Sequence, residues 1–410
     1  MKKILFIGWI FWVAIIIFCV LSRNSYSEFS YVKSDSGPQE SQKSLIIIQP
    51  TINYCDDNTI FADEDDKKYC FTSPYLIKDR GVEINLTTNK VTLYDKGKLI
   101  KTLDLLYQSP ENVWMESPTG LFKIGTKEKL HWSTIGLVWM PYSMQYYEDF
   151  FLHGIPYRPN GNLINSMVSG GCLRFEDKVA KQIYDFVKIQ DPVLVFASYN
   201  SLPLNDGFSS PLNMDESFIL QRFYNPLRIA RRFSGDRQNL KLDYYNHTGV
   251  DLKLKPGATD KNVYAIKDGV VSKIVYLGKE EDYGMGNTII IKHQINGKTI
   301  YSLYAHLSKI KEGLKEGSEI KGGESLGEIG SSGFGCEHYW RLNKNGCEGT
   351  DEINDNLHLE MKTKPVLYNP IGGKVCLNKN NQQDFCYRYA PDPLFSKGYY
   401  NPLDIIFKKQ

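Results

Sequence analysis

Two groups of residues in this chain are of types that can do covalent or metal chemistry. The first is a thiol and an imidazole, Cys172 and His153, at the two ends of HGIPYRPNGNLINSMVSGGCLR. A cysteine attacks as its thiolate, so it needs a base close by and donors for the oxyanion that forms when it adds to a carbonyl. His153 can supply the base. Gly170 and Gly171 free the backbone to turn ahead of Cys172, so that amide N–H groups can converge on one oxygen. Arg174 can clamp a carboxylate through two hydrogen bonds. On residue types and spacing alone, a structural cysteine is the competing reading.

The second group joins distant segments. His247-Thr248-Gly249-Val250-Asp251 and Asn356-Leu357-His358-Leu359-Glu360 offer His247, Asp251 and His358 as nitrogen and oxygen ligands. Three protein ligands and one open position suit hydrolytic zinc. Alternation along a strand sends Leu357 and Leu359 to a core and gathers Asn356, His358 and Glu360 on the other face. Ser302, Tyr304 and His306 likewise share a face, which lets His306 reach the same cavity. Unrelated surface histidines are the alternative here. His131 and His293 read as serving packing or solubility.

The elements that must position these residues are mostly strands. EINLTTNKVTLYDKGKLIKTL alternates on both sides of an Asp95-Lys96-Gly97 turn, a hairpin signal. Val179, Ile183 and Val187 at spacing four predict an amphipathic helix over 176–187, and Val193 to Phe196 a buried strand. Ser201 to Ser217, with Pro203, Gly207 and Pro211, reads as an interdomain linker. Beyond it, NTIIIKHQINGKTIYSLYAHLS folds back on Asn296-Gly297, a strong hairpin cue.

With 410 residues the chain is too long for one ordinary domain. Lys+Arg 49 against Asp+Glu 47 gives a net charge of +2, and 42% hydrophobic with 23% charged residues excludes a disordered tail or a coil. The absence of a basic excess argues against nucleic acid as a partner. Met-Lys-Lys precedes an apolar run from Ile4 to Leu21, which at about 1.5 Å per residue nearly spans a bilayer. Its length, with Trp9 and Trp12, favours an uncleaved anchor in the inner membrane, while Ser25-Tyr26-Ser27 leaves a cleaved signal open. Phe18 before Cys19 argues against a lipidated cysteine. The flanking lysines place the rest of the chain outside the cytosol, periplasmic or extracytoplasmic. Of eight cysteines, Cys172 is the expected free thiol. Export favours disulfides, and pairing of near neighbours is preferred: Cys55 with Cys70, Cys336 with Cys347, Cys376 with Cys386.

His153-Gly154, then Ser169-Gly170-Gly171-Cys172-Leu173-Arg174, together with SPTGLFKI (117–124) and the opening strands, resembles the L,D-transpeptidase (YkuD-type) catalytic domain over 81–197. The resemblance implies Cys172 as nucleophile, His153 as its base and Ser169 as a helper that fixes the base. The family often carries a histidine where Gly170 stands. The implied reaction is acyl transfer on peptidoglycan stem peptides: Cys172 attacks an L-centre carbonyl, D-alanine leaves, and an amine or water takes the acyl group.

HTGVDL, VYAIKDGVVSKIVYLG, GMGNTIIIKH, TIYSLYAHLS and KGGESLGEIGSSG, in that order, resemble the lysostaphin-like (LytM-type) zinc metallopeptidases over 225–365, with Tyr400-Asn401-Pro402-Leu403 similar to the family's closing segment. This implies that His247, Asp251 and His358 bind Zn2+ and that His306 is catalytic. The family's last motif is His-x-His, and here its first position is Asn356, which hydrogen-bonds but carries no proton. Hydrolysis can proceed with His306 alone, with a borrowed group such as His338, or not at all, leaving a module that binds the wall or activates a partner.

The expected architecture is therefore mainly β (α+β), a YkuD-type β-sandwich-like domain plus an antiparallel lysostaphin-like metallopeptidase domain, with an N-terminal membrane helix. Its parts are a signal anchor or signal peptide (1–27), a linker (28–43), a small disulfide-stapled segment (44–80), the transpeptidase-type domain (81–197), a linker (198–220) and the zinc peptidase-type domain (221–410). The last carries insertions at 334–355 and 366–398.

Overall fold

The computed structural model describes residues 60–62, 68–70, 77 and 79–408, apart from 110–115, 165–168, 233–239, 278–283, 334–354, 368–375, 378–382, 385–388 and 391–393. The apolar run at 4–21 lies outside the described residues, and no helix among those described is long and apolar enough to cross a membrane. Each expected disulfide pair has at least one cysteine outside the described residues (Cys55, Cys336, Cys347 and Cys386), and His338 lies outside them too. Among the described residues Cys172 is a free thiol.

Alternating residues of the first hairpin put Val82, Ile84, Val91 and Leu93 on one buried face. They form β1 (Gly81–Asn85) and β2 (Lys90–Asp95), and β3 (Lys98–Asp104) returns beside β2 through the expected turn. Lys96 and Gly97 there have φ of 51° and 69°, as a tight hairpin turn requires. Next come β4 (Gly120–Lys123), β5 (Lys127–Ser133), β6 (Val138–Tyr147), β7 (Phe150–His153) and β8 (Leu173–Arg174). Helix α1 (Asp177–Phe186) and β9 (Pro192–Phe196) follow.

Two sheets result, one ordered β3-β2-β1-β9-β4 and one ordered β8-β7-β6-β5. Between them lies a core of Val82, Ile84, Met144, Tyr146, Leu152, Leu173, Phe175 and the inner residues of α1, Val179, Ala180 and Ile183. Each of these aliphatic side chains contributes about 1.5–3 kcal/mol on leaving water. Arg80 ties the starts of the neighbouring parallel strands β1 and β9 together through two bonds to Asp191, at 2.6 and 3.0 Å.

The segment expected to be a linker, 198–220, packs against the second domain and ends in a strand. Leu202, Leu204, Phe208 and Leu212 join the second core, and the Asn205 side-chain amide holds the carbonyls of Ile405 and Phe407. Strand β10 (Ser217–Gln221) then leads into β11 (Pro226–Arg232), β12 (Leu240–His247) and β13 (Val250–Leu254). After these run β14 (Gly269–Val275), β15 (Asn287–Ile295), β16 (Lys298–Leu307), β17 (Glu319–Ile320), β18 (Leu357–Lys362), β19 (Tyr389–Ala390) and β20 (Tyr399–Tyr400). The short helix α2 (Pro402–Ile406) closes the chain, Asn401 capping it by accepting from Leu403 N–H.

The large antiparallel sheet runs β10-β13-β18-β16-β15-β14-β17, with β20 beside β18, and β11-β12-β19 form a separate small sheet. Asn296 and Gly297, φ 50° and 73°, make the β15–β16 hairpin as expected. Residues 53–410 form one compact unit. Ile77, Tyr94, Leu194 and Phe196 of the first domain pack with Phe218 and Leu220 of β10 in a shared apolar cluster.

Candidate functional site

Strand β8 lies parallel to β7, with Leu173 opposite Leu152 and Arg174 opposite His153. One step back, Cys172 comes beside Phe151, whose backbone N–H donates to its Sγ at 3.4 Å. Phe151 and His153 are two apart on β7, so the thiol, the imidazole and Arg174 share the face opposite the core residues Leu152 and Leu173. Gly171, with φ 97°, takes the backbone through the turn that a Cβ would strain. Gly154 is required for another reason: a Cβ there would run into the Asp177 carboxylate, which accepts Ile155 N–H at 2.8 Å.

His153 is 1% exposed, and its Nδ1 faces the Gly154 carbonyl at 2.5 Å. That contact makes Nδ1 the protonated nitrogen and leaves Nε2 without a proton. No hydrogen bond joins His153 to Cys172 in the resting protein. The thiol sits among Val138, Met140, Phe151 and Ile164, its own hydrogen directed to Asp149 O at 3.9 Å. Burial pushes the thiol up to about 11, although the Phe151 N–H and the Arg174 charge pull the other way. Burial also drives His153 down to about 3, with Arg174 and His131 adding to the effect against Gly154 O.

The free protein is thus a neutral thiol beside a neutral imidazole. Alkylation of Cys172 by iodoacetamide, followed by peptide mass spectrometry, is expected to rise about tenfold per pH unit from 7 to 10. A rate already level at pH 7 would mean an ion pair instead.

Ser169 has a different place from the one expected. Its hydroxyl donates to the Cys172 carbonyl at 2.6 Å, so it fixes the turn carrying Cys172 rather than the imidazole. Gly170 is exposed. His131 is a wall of this face, stacked on the Phe151 ring at 4.7 Å with Nδ1 on Glu128.

The second group converges as its ligand types require. Strands β13 and β18 pair with Asp251 opposite His358, and β12 brings His247 alongside. His358 Nδ1 is 2.8 Å from Asp251 Oδ1 and 3.1 Å from His247 Nε2, and Asp251 Oδ1 is 3.4 Å from His247 Nε2. All three ligand atoms lie within 4.8 Å of one another, and all three residues are buried.

The far nitrogen of each imidazole is held. His247 Nδ1 donates to Arg222 O at 2.9 Å, and His358 Nε2 lies 3.2 Å from Glu360 Oε1. Such outer contacts set the tautomer that presents the other nitrogen to a metal. Glu360 is fixed in turn by Thr248 and Lys362. Burial alone would raise its carboxyl, but Lys362 and His358 hold it down at about 2. Gly249 permits this closeness, because a Cβ would collide with Leu359 O.

Leu357 and Leu359 face the core as expected, leaving Asn356, His358 and Glu360 on the other face. His306 reaches the site through a break in the strand's alternation. Strict alternation puts it with Ser302 and Tyr304, which turn into the core and join a buried chain, His293 Nε2 to Ser302 Oγ at 2.7 Å and Ser302 Oγ to Tyr304 Oη at 3.2 Å. His306 itself has φ 65°, which breaks the alternation. Its ring comes 6.1 Å from that of His358, with Nδ1 held by Ser332 O at 2.9 Å. Asn356 is 6% exposed, its backbone N–H bonded to Gly330 O.

One neighbour had no signal in the spacing. Within the insertion at 366–398, β19 pairs β12 so that Tyr389 stands opposite His247, ring to ring at 5.4 Å. Its hydroxyl donates to Gln221 Oε1 at 3.3 Å.

Residues 79–195 match the family model of the L,D-transpeptidase catalytic domain. Residues 245–370 match that of peptidase family M23. No curated protein matches the chain. Similar solved structures include an L,D-transpeptidase from Stackebrandtia nassauensis, 23% identical over 30% of this chain and 57% of that one, with a TM-score of 0.25. An L,D-transpeptidase from Mycobacterium smegmatis is 18% identical over 28% of this chain and 58% of that one, TM-score 0.24. A fused Zn-dependent amidase/peptidase/peptidoglycan-binding domain-containing protein from Clostridium acetobutylicum is 19% identical over 28% and 51%, TM-score 0.24. The chain spans little more than half the length of each.

Proposed function

Since one chain carries both an L,D-transpeptidase catalytic domain and a peptidase family M23 domain, we propose that it is a bifunctional peptidoglycan-remodelling enzyme of the cell envelope. It works outside the cytosol, held to the membrane through residues 4–21, with Cys55, Cys70, Cys336, Cys347, Cys376 and Cys386 paired as disulfides. One centre transfers acyl groups of stem peptides at Cys172, and the other hydrolyses peptide cross-links at His247, Asp251 and His358. The observation that carries this reading is the convergence of three buried ligand atoms within 4.8 Å in a chain that also sets a thiol and a neutral imidazole on one strand face.

At the thiol, His153 Nε2 takes the Cys172 proton as Sγ adds to the carbonyl carbon of the stem's L-centre. Amides at the Gly170–Cys172 turn receive the oxyanion, and Arg174 holds a substrate carboxylate. Collapse breaks the C–N bond, and His153 returns its proton to the departing amine. An amine or a water then attacks the thioester, giving a new cross-link or a trimmed stem, and Cys172 regains its proton.

The two imidazole nitrogens and one carboxylate oxygen, each imidazole braced from behind, fit Zn2+. The ion, held by His247, Asp251 and His358, would supply Lewis acidity at the scissile carbonyl. Around it, His306 Nε2 moves the proton. Asn356 donates a hydrogen bond to the carbonyl oxygen, and the Tyr389 ring packs against His247.

The test is to incubate the full chain with a tetrapeptide stem and an amine acceptor and follow products by mass spectrometry. Loss of the terminal residue with acceptor incorporation is expected. Unaltered stems would refute the acyl-transfer half. A second reading is favoured by Asn356: with an amide in place of the second histidine, the zinc module binds the wall or activates a partner without cutting.

A further inference from the structure

Residues 222–225 lie in neither matched segment, and they join the two domains at the metal site. On one side they clasp Thr119 of the SPTGLFKI segment. Thr119 N–H donates to Asn225 Oδ1 at 2.7 Å, Asn225 Nδ2 donates to Thr119 O at 3.0 Å, and Arg222 N–H donates to Thr119 Oγ1 at 2.9 Å. On the other side they clasp His247. Its Nδ1 donates to Arg222 O at 2.9 Å, its backbone N–H to Asn225 O at 3.0 Å, and its carbonyl accepts Tyr224 N–H at 3.0 Å.

Every member of this chain of bonds is buried: Thr119 and His247 are 0% exposed, Asn225 3% and Arg222 4%. Water cannot replace a lost partner there, and a carbonyl displaced from Nδ1 would release both the ring's orientation and its tautomer. The Thr119 hydroxyl is the contact that fixes Arg222 at its amide, one peptide unit from the carbonyl that His247 uses.

We propose that Thr119, although it belongs to the transpeptidase-type domain, is a positioning residue for the metal site of the other domain. Acting through Arg222 and Asn225, it presents His247 Nε2 to the ion. The inference rests on the reading that His247, Asp251 and His358 hold zinc. It makes the first domain a working part of the second centre, so metal affinity depends on residues far outside the peptidase-like segment.

The experiment measures zinc affinity of the full-length protein by chelator competition and the visible spectrum of its cobalt form. Wild type, Thr119→Val, Thr119→Ser and Tyr199→Phe are compared. Valine keeps the shape but removes the hydroxyl, and zinc affinity is expected to fall about 10- to 100-fold with altered cobalt bands. Serine keeps the hydroxyl and is expected to restore both. Tyr199→Phe removes another buried hydrogen bond, from Tyr199 to Ser217, away from His247. It is expected to lower the melting temperature without moving zinc affinity.

Thr119→Val binding zinc as tightly as wild type would overturn the inference, as would an equal loss in Tyr199→Phe. A wild-type protein that takes up no zinc would overturn the metal site itself, a result distinguishable from both.

Discussion

Cys172→Ala is expected to abolish acyl transfer, lowering its rate at least about 10⁴-fold, because removing a nucleophile removes the covalent route altogether. The thiol is half-buried at the rim of a small apolar cluster of Val138, Met140 and Phe151, so its loss leaves little cavity and costs about 1 kcal/mol of stability. Intact-protein mass after mixing with a stem peptide reads the result directly: an acyl adduct on the wild type and none on the variant. His153→Ala is expected to keep the thiol but form the adduct slowly at neutral pH, since burial holds Cys172 protonated up to about 11. Raising the pH toward that value is expected to recover adduct formation in this variant more than in the wild type. An alanine variant that processed stems at the wild-type rate would remove Cys172 from the mechanism.

Asn356→His is the second large effect, and it is a gain. Asn356 sits on the face of β18 that carries His358, with its backbone fixed to Gly330. Its amide can donate a hydrogen bond but cannot exchange a proton in the pH range of hydrolysis. An imidazole at that position adds a second general acid–base group to His306, worth about 10²- to 10⁴-fold. The assay is cleavage of a cross-linked stem-peptide dimer with zinc content measured in parallel. Zinc present, no cutting by the wild type and cutting by the histidine variant would favour the module that binds without hydrolysing. Equal rates in both proteins would show that His306 suffices alone.

Much of this arrangement was legible because its causes are local. Asn296-Gly297 specifies a hairpin through the positive φ both residues adopt, and Val179 and Ile183 mark the helix that packs behind the thiol strand. Leu357 and Leu359 alternate with Asn356 and His358, so the sequence already separates core from site on β18. The rest depends on long-range closure. Alternation alone would bury His306 beside Tyr304, and only its φ of 65° turns it toward His358, a choice made by the bulge and not by residue type. Ser169 looked like a partner for His153, yet its short side chain closes its own turn on Cys172 O. Backbone atoms carry no sequence signature at all, which is why Arg222 O on His247 was invisible beforehand. Tyr389 was hidden because its insertion has no periodicity that points to β12.

The most direct test of two separate chemistries on one chain is a product partition by mass spectrometry. Wild type, Cys172→Ala and His358→Ala are each given a tetrapeptide stem, an amine acceptor and a cross-linked dimer, with zinc supplied. Cys172→Ala is expected to lose only acceptor incorporation and stem trimming, and His358→Ala only dimer cleavage. Loss of both activities in a single variant, or of neither in either, would contradict that separation.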